Sequence, residues 1–101
     1  MARQARSYEN TGIYHTIVRG NNLEEIFADD CDKQKIVRIL YEKSSFDAFD
    51  IIAYCILSDH AHFLVKENQL NIAEIMKRIN TSYAAYYNRK NKRYGHVFYS
   101  R

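Results

Sequence analysis

Three features of the sequence predict an α+β sandwich of β-α-β-β-α-β order, with an antiparallel sheet and two helices on one face. Two stretches space their apolar residues as helices do, four shorter ones have strand character, and a tight turn joins the middle two strands. With 101 residues, one domain covering residues 1–101 is expected. A chain of this size buries roughly 60–70% of its unfolded surface, enough for a thin core.

The stretch GIYHTIVRGNN (12–22) alternates, is rich in β-branched residues, and breaks at Gly20-Asn21-Asn22: a strand, then a turn. Ile13, His15 and Ile17 share one face, and Tyr14, Thr16 and Val18 the other. Residues 30–48 read as a helix capped by Asp30 or Asp32, with Ile36, Ile39 and Leu40, joined by Tyr41 and Phe46, as its apolar stripe. DIIAYCILS (50–58) is nearly all apolar, which suits a buried central strand. Ser58-Asp59 then turns the chain into HAHFLVKE, closing a hairpin. Residues 71–92 form a long helix, capped by Asn71 with Glu74 three residues on, and Ile72, Ile75, Met76, Ile79, Tyr83 and Tyr86 or Tyr87 keep its stripe. Gly95 ends the helix region, and HVFYS (96–100) is a short last strand. This order is the ferredoxin-like one, and it leaves the second sheet face for a ligand or partner.

Composition narrows the setting. No N-terminal apolar segment and no run near ~18 apolar residues is present, which excludes a membrane span and points to a cytoplasmic protein. Cys31 and Cys55 have no framework spacing and read as free thiols. The net charge of +3 is unevenly spread: residues 76–101 hold seven Lys or Arg and no acid. A polyanion bound at that end accounts for the asymmetry, and so does a solvated helix end.

His60 and His62 stand at alternate positions of a strand, so they share a face, while Ala61, Phe63 and Val65 point the other way. Two neighbouring imidazoles can reach one metal ion. His15, Asp59 and Cys55 are candidates for a third ligand. The plainer alternative is two half-exposed histidines on a sheet face. The chain is too short for the ~250-residue barrel hydrolases that use a His-x-His pair. It also lacks the His-x-Glu and Pro-Cys-x-x-Cys of zinc deaminases.

YHTIVRGNN, AYCILSDHAHFLV and SYAAYYNRKNKRYGHVFYSR, in that order, resemble the single-tyrosine transposases of the HUH endonuclease superfamily, in particular the REP-associated tyrosine transposase group. The resemblance runs from Tyr14 to Arg101 and places the His-hydrophobic-His pair on His60 and His62. Ser58-Asp59 depart from the Pro-Asn that this group carries in the hairpin, a change in the turn and not in the ligands.

The resemblance implies an enzyme that cuts and rejoins one DNA strand through a 5′-phosphotyrosine link, with Mg²⁺ or Mn²⁺ on His60 and His62. It implies single-stranded or hairpin DNA as partner, and a homodimer. It places the nucleophilic tyrosine on a helix beyond the last matching segment, within which this sequence stops. Tyr86 and Tyr87 are the weak candidates left inside the sequence, since Tyr83 continues the core stripe. His15 aligns with the histidine of the first motif. If Ile13 faces the core, so does His15, as a structural histidine.

For DNA contact the candidates are Arg19 and the run Arg89, Lys90, Lys92 and Arg93, with Tyr94, Phe98 and Tyr99 nearby to stack on bases. Two other classes fit part of the pattern. An RRM-type module shares the element order but needs an aromatic RNP signature that is missing. A non-catalytic transposase remnant needs only the fold.

Overall fold

The computed structural model describes residues 6–7 and 11–99. The elements are β1 (Arg6–Ser7), β2 (Ile13–Arg19), a 3-10 turn (Asn21–Leu23), α1 (Asp30–Lys43), β3 (Phe49–Ile56), β4 (His60–Glu67) and α2 (Ile72–Asn91). The strands pair antiparallel in the order β1-β2-β4-β3. Both helices pack on one side, so the α+β sandwich with helices on one sheet face is the observed architecture.

The last segment occupies the place of a final strand in rudimentary form. Among the described residues it bridges to Gly20, the residue after β2, through Phe98, flanked by Asn21 N–H donating to the Val97 carbonyl and Tyr99 N–H to the Arg19 carbonyl, both at 2.8 Å. Ser100 and Arg101 lie outside the described residues. The edge of β2 is therefore divided, with β1 opposite Tyr14 and His15 and the last segment at the Arg19 end. β1 was not legible beforehand, because a two-residue pairing leaves no periodicity.

Each helix starts where a side chain relieves its free amides. Asp29, not Asp30 or Asp32, caps α1: its Oδ1 accepts from Asp32 N–H at 2.8 Å. Asn71 Oδ1 accepts from Glu74 N–H at 2.9 Å at the start of α2, as expected. α1 ends at Lys43, earlier than expected, and Phe46 and Asp47 then take left-handed φ values of 58° and 59°. Phe46 consequently leaves the predicted stripe, and Tyr41, still within α1, lies off its buried face; both are exposed, while Ile36, Ile39 and Leu40 are buried.

The core lies between the helices and one sheet face. Val18, Ala61, Phe63 and Val65 from the sheet meet Ile36, Ile39 and Leu40 of α1 and Ile75, Met76, Ile79 and Tyr83 of α2. Full burial of each large side chain stabilises by about 1.5–3 kcal/mol. The Tyr83 hydroxyl donates to the buried Ile26 carbonyl, tying α2 to the connection that leads into α1.

Two readings of the strands need correction. β3 is not central but an edge strand, and Ile52, Tyr54, Cys55 and Leu57 are exposed. A bulge between Ile51 and Ala53 switches its alternation, so Ile51 and Ile56 pack on the core while Ala53 and Cys55 lie on the opposite face. In β2, Thr16 and Val18 are the buried residues and Tyr14 packs on the core. Ile13, Ile17 and His15 therefore face away from the helices, and His15 is not a core histidine.

Candidate metal and nucleic-acid site

β4 is paired on both sides, by β2 and β3, and it carries His60 and His62. The turn ahead of it is pinned: Leu57 N–H donates to the His60 carbonyl at 2.8 Å, and Gly20 N–H to the Asp59 carbonyl at 2.9 Å. Gly20 is required by space, since a Cβ there would stand 2.2 Å from the Glu24 carbonyl oxygen.

Direct register partners share a sheet face. Arg19 lies opposite His60, and His62 stands between Ile17 and Cys55. The face away from the helices thus brings together His15, Arg19, His60 and His62. His60 Nδ1–H donates to Asp59 Oδ1 at 2.7 Å. His15 Nε2 and His62 Nδ1 share a hydrogen bond of 3.0 Å. The His60 and His62 ring centroids are 5.2 Å apart at 74°.

The electrostatics follow from this crowding. Burial, then the neighbouring His60, His15 and Arg19, hold His62 below the ordinary imidazole pKa. The hydrogen bond from His60 holds Asp59 below the usual carboxylate range. The burial and the neighbouring cations favour the neutral form of His62, the form that ligates metals. Among the described residues, no set of three or more His, Cys, Asp or Glu side chains forms a ready metal cage. The donor set is a pair of imidazoles, and Asp59 is engaged with His60.

The basic run at the end of α2 divides into two kinds of residue. Lys90 Nζ donates to Asp29 Oδ2 at 2.7 Å and to Asp32 Oδ1 at 2.8 Å, and these two contacts raise its pKa. Arg93 donates to Asn88 Oδ1 at 2.7 Å, reaches Glu24 at 3.4 Å and lies 5.5 Å from the Tyr87 ring centre. Arg89 and Lys92 are exposed and, among the described residues, hold no ion pair. The bridge of Phe98 to Gly20 links this basic end to the Arg19–His60 end of the sheet.

The structure does not bring Tyr86 or Tyr87 to the histidines. Both lie on α2, across the sheet from His60 and His62. The Tyr86 hydroxyl donates to Asp32 Oδ1 at 2.8 Å, and burial followed by this bond pushes its pKa up to about 12. Tyr87 is buried, which raises its pKa as well.

A family description fits this chain over residues 9–101, that of the IS200-like transposases. The chain belongs to that family. Solved structures agree on the fold of an IS200-like transposase. A transposase-like protein of Deinococcus radiodurans R1 superposes with a TM-score of 0.66 at 18% identity, over 87% of this chain and 68% of the other. A REP-associated tyrosine transposase bound to a REP hairpin gives 0.67 at 15% identity, over 100% of this chain and 59% of the other. No curated protein sequence matches the chain. Among the described residues, no helix of this IS200-like domain is long and apolar enough to cross a membrane.

Proposed function

We propose that this domain binds single-stranded or hairpin DNA and holds a divalent metal, Mg²⁺ or Mn²⁺, on His60 and His62 for single-strand cleavage and rejoining. One observation carries the reading: in a chain of the IS200-like family, two histidines share the uncovered sheet face with an exposed arginine beside them. The donor chemistry suits a metal, because His60 has its Nδ1 committed to Asp59 and the surroundings of His62 favour its neutral form. When bound, the ion supplies Lewis-acid polarisation of the scissile phosphate.

The chain's own residues then have distinct tasks. Arg19 holds a phosphate beside the histidines, and Arg89 and Lys92 hold the strand further along. Asp59 fixes the His60 ring. Lys90 and Arg93 keep the α2 end in place through their acidic partners. The domain works in a reducing cytoplasm with Cys31 and Cys55 as thiols, and as a homodimer, for which the outer edge of β3 offers unpaired backbone.

The placement of Tyr86 and Tyr87 across the sheet favours a second reading for the 101-residue chain taken alone, a DNA-binding platform that forms no covalent link. Incubation of labelled single-stranded hairpins with Mn²⁺, beside His60→Ala, tests both. Hairpin binding without a covalent adduct is the expected result. An adduct lost in His60→Ala would place a working nucleophile inside this chain. Failure to bind any hairpin at low salt would sink both readings.

A further inference from the structure

We propose that His15 is a positioning residue for His62: it accepts the Nδ1 proton of His62 and so leaves the His62 Nε2 lone pair free for a metal. This rests on the reading of His60 and His62 as metal ligands. The His15 and His62 ring planes are 15° apart and their centroids 5.2 Å apart, with only 3.0 Å between the facing nitrogens. Two rings so placed meet edge to edge in nearly one plane, where a ring N–H and a ring lone pair both lie along the N···N line. A single proton fills that gap. If it belonged to His15 Nε2, a neutral His62 would carry its own proton on Nε2 and could not ligate through that atom. If it belongs to His62 Nδ1, the Nε2 lone pair is available.

His60 on the same strand shows the same device with a different acceptor, its Nδ1–H being held by Asp59 Oδ1 at 2.7 Å. The two histidines thus present the same tautomer, one fixed by a carboxylate from the turn and one by an imidazole from β2. A neighbouring acceptor that fixes the tautomer is the usual companion of a metal-binding histidine, and its loss typically lowers affinity by about 10–100-fold.

Long-range ¹H–¹⁵N imidazole spectra of the metal-free 101-residue chain at about pH 8, above the ordinary imidazole range, report the tautomer directly. The proposal expects Nδ1–H for His62 in the wild type and in His15→Gln, whose side-chain carbonyl can accept. It expects a shift toward Nε2–H in His15→Ala. In parallel, Mn²⁺ binding followed by paramagnetic broadening should weaken by about 10–100-fold in His15→Ala and recover largely in His15→Gln. No Mn²⁺ broadening at His60 and His62 of the wild type would remove the metal reading and this proposal with it. Mn²⁺ binding with tautomer and affinity both unchanged in His15→Ala would overturn the proposal alone.

Discussion

Lys90 crosses from the end of α2 to Asp32 at the start of α1, closing a 2.8 Å ion pair on a carboxylate whose side chain is only 3% exposed. The same carboxylate oxygen accepts from the Tyr86 hydroxyl, so one buried acid fastens two residues of α2. A lysine inside a basic run thus serves the fold, and the run cannot be treated as one uniform phosphate-binding strip.

Lys90→Met is expected to lower the melting temperature clearly and to leave the salt dependence of DNA binding almost unchanged. Arg89→Gln and Lys92→Gln should do the reverse, each lowering the slope of log K against log salt by about one. Thermal melts and DNA titrations over a salt series compare the three. A slope loss in Lys90→Met as large as in the other two would refute this division of labour.

His62 should titrate below the ordinary imidazole value of 6.5. Just below that value the unfolded chain takes a proton at this position and the folded chain does not. The His62 contribution to stability therefore rises with pH through that window and is constant above it. The Asp59 pKa is lowered too, and for this carboxylate the contribution to stability is present above 3.8 and is lost as pH falls through its folded pKa. Because Arg19 is one cause of the His62 shift, Arg19→Gln should move the His62 midpoint upward. An NMR titration checks both points, and a wild-type midpoint at or above 6.5 contradicts them.

Asp59→Ala should weaken Mn²⁺ binding by about 10–100-fold, because the acceptor of the His60 Nδ1–H is gone. Asp59 is half-exposed in the turn, so the melting temperature should change little. Calorimetric titration of metal into both proteins gives the answer. Equal affinities would mean that Asp59 does not orient His60.

Tyr83→Phe removes the hydroxyl that meets the Ile26 carbonyl and leaves that buried oxygen unpaired, at a cost of about 1–3 kcal/mol. Gly20→Ala forces a Cβ against the Glu24 carbonyl at 2.2 Å, and the overpacking should cost about 1–3 kcal/mol. In a chain of this size each kcal/mol lowers the melting temperature by roughly 4–8 °C. Chemical denaturation separates these losses from any change in DNA binding.

The facing of β4 was legible in the sequence because Ala61, Phe63 and Val65 are apolar and alternate with two histidines. β2 gave no such contrast. Ile13 and Ile17 on one face compete evenly with Thr16 and Val18 on the other, and only the pairing of Ile17 with His62 decides which face is covered. The residues of β2 alone therefore do not decide whether His15 faces the core. The apolar run of β3 suggested a central strand, but strand order depends on pairing across the chain and leaves no local trace. A bulge at Ile52 then spreads its side chains over both faces.

The helices are legible where a local rule governs them, as with the Asn71 cap and the stripe from Ile75 to Tyr83. The contacts of Tyr86 and Lys90 with Asp32 have no local signal, because that partner lies 54 and 58 residues away. The His60 partner was nearer at hand. Asp59 is adjacent in sequence, and an acid next to a candidate ligand suggests an orienting role as readily as a ligating one.

The placement of the two histidines on the doubly paired strand also has a consequence in time. Backbone amides of β4 are locked on both edges, so they should exchange with solvent only when most of the sheet opens, whereas β3 and the short pairing at Phe98 can open by themselves. The imidazoles therefore sit on the slowest-moving part of the domain, and the contacts at its rim on faster ones. If the proposed DNA binding holds, a strand arriving at the rim would be adjusted there repeatedly while the pair of rings stays in place.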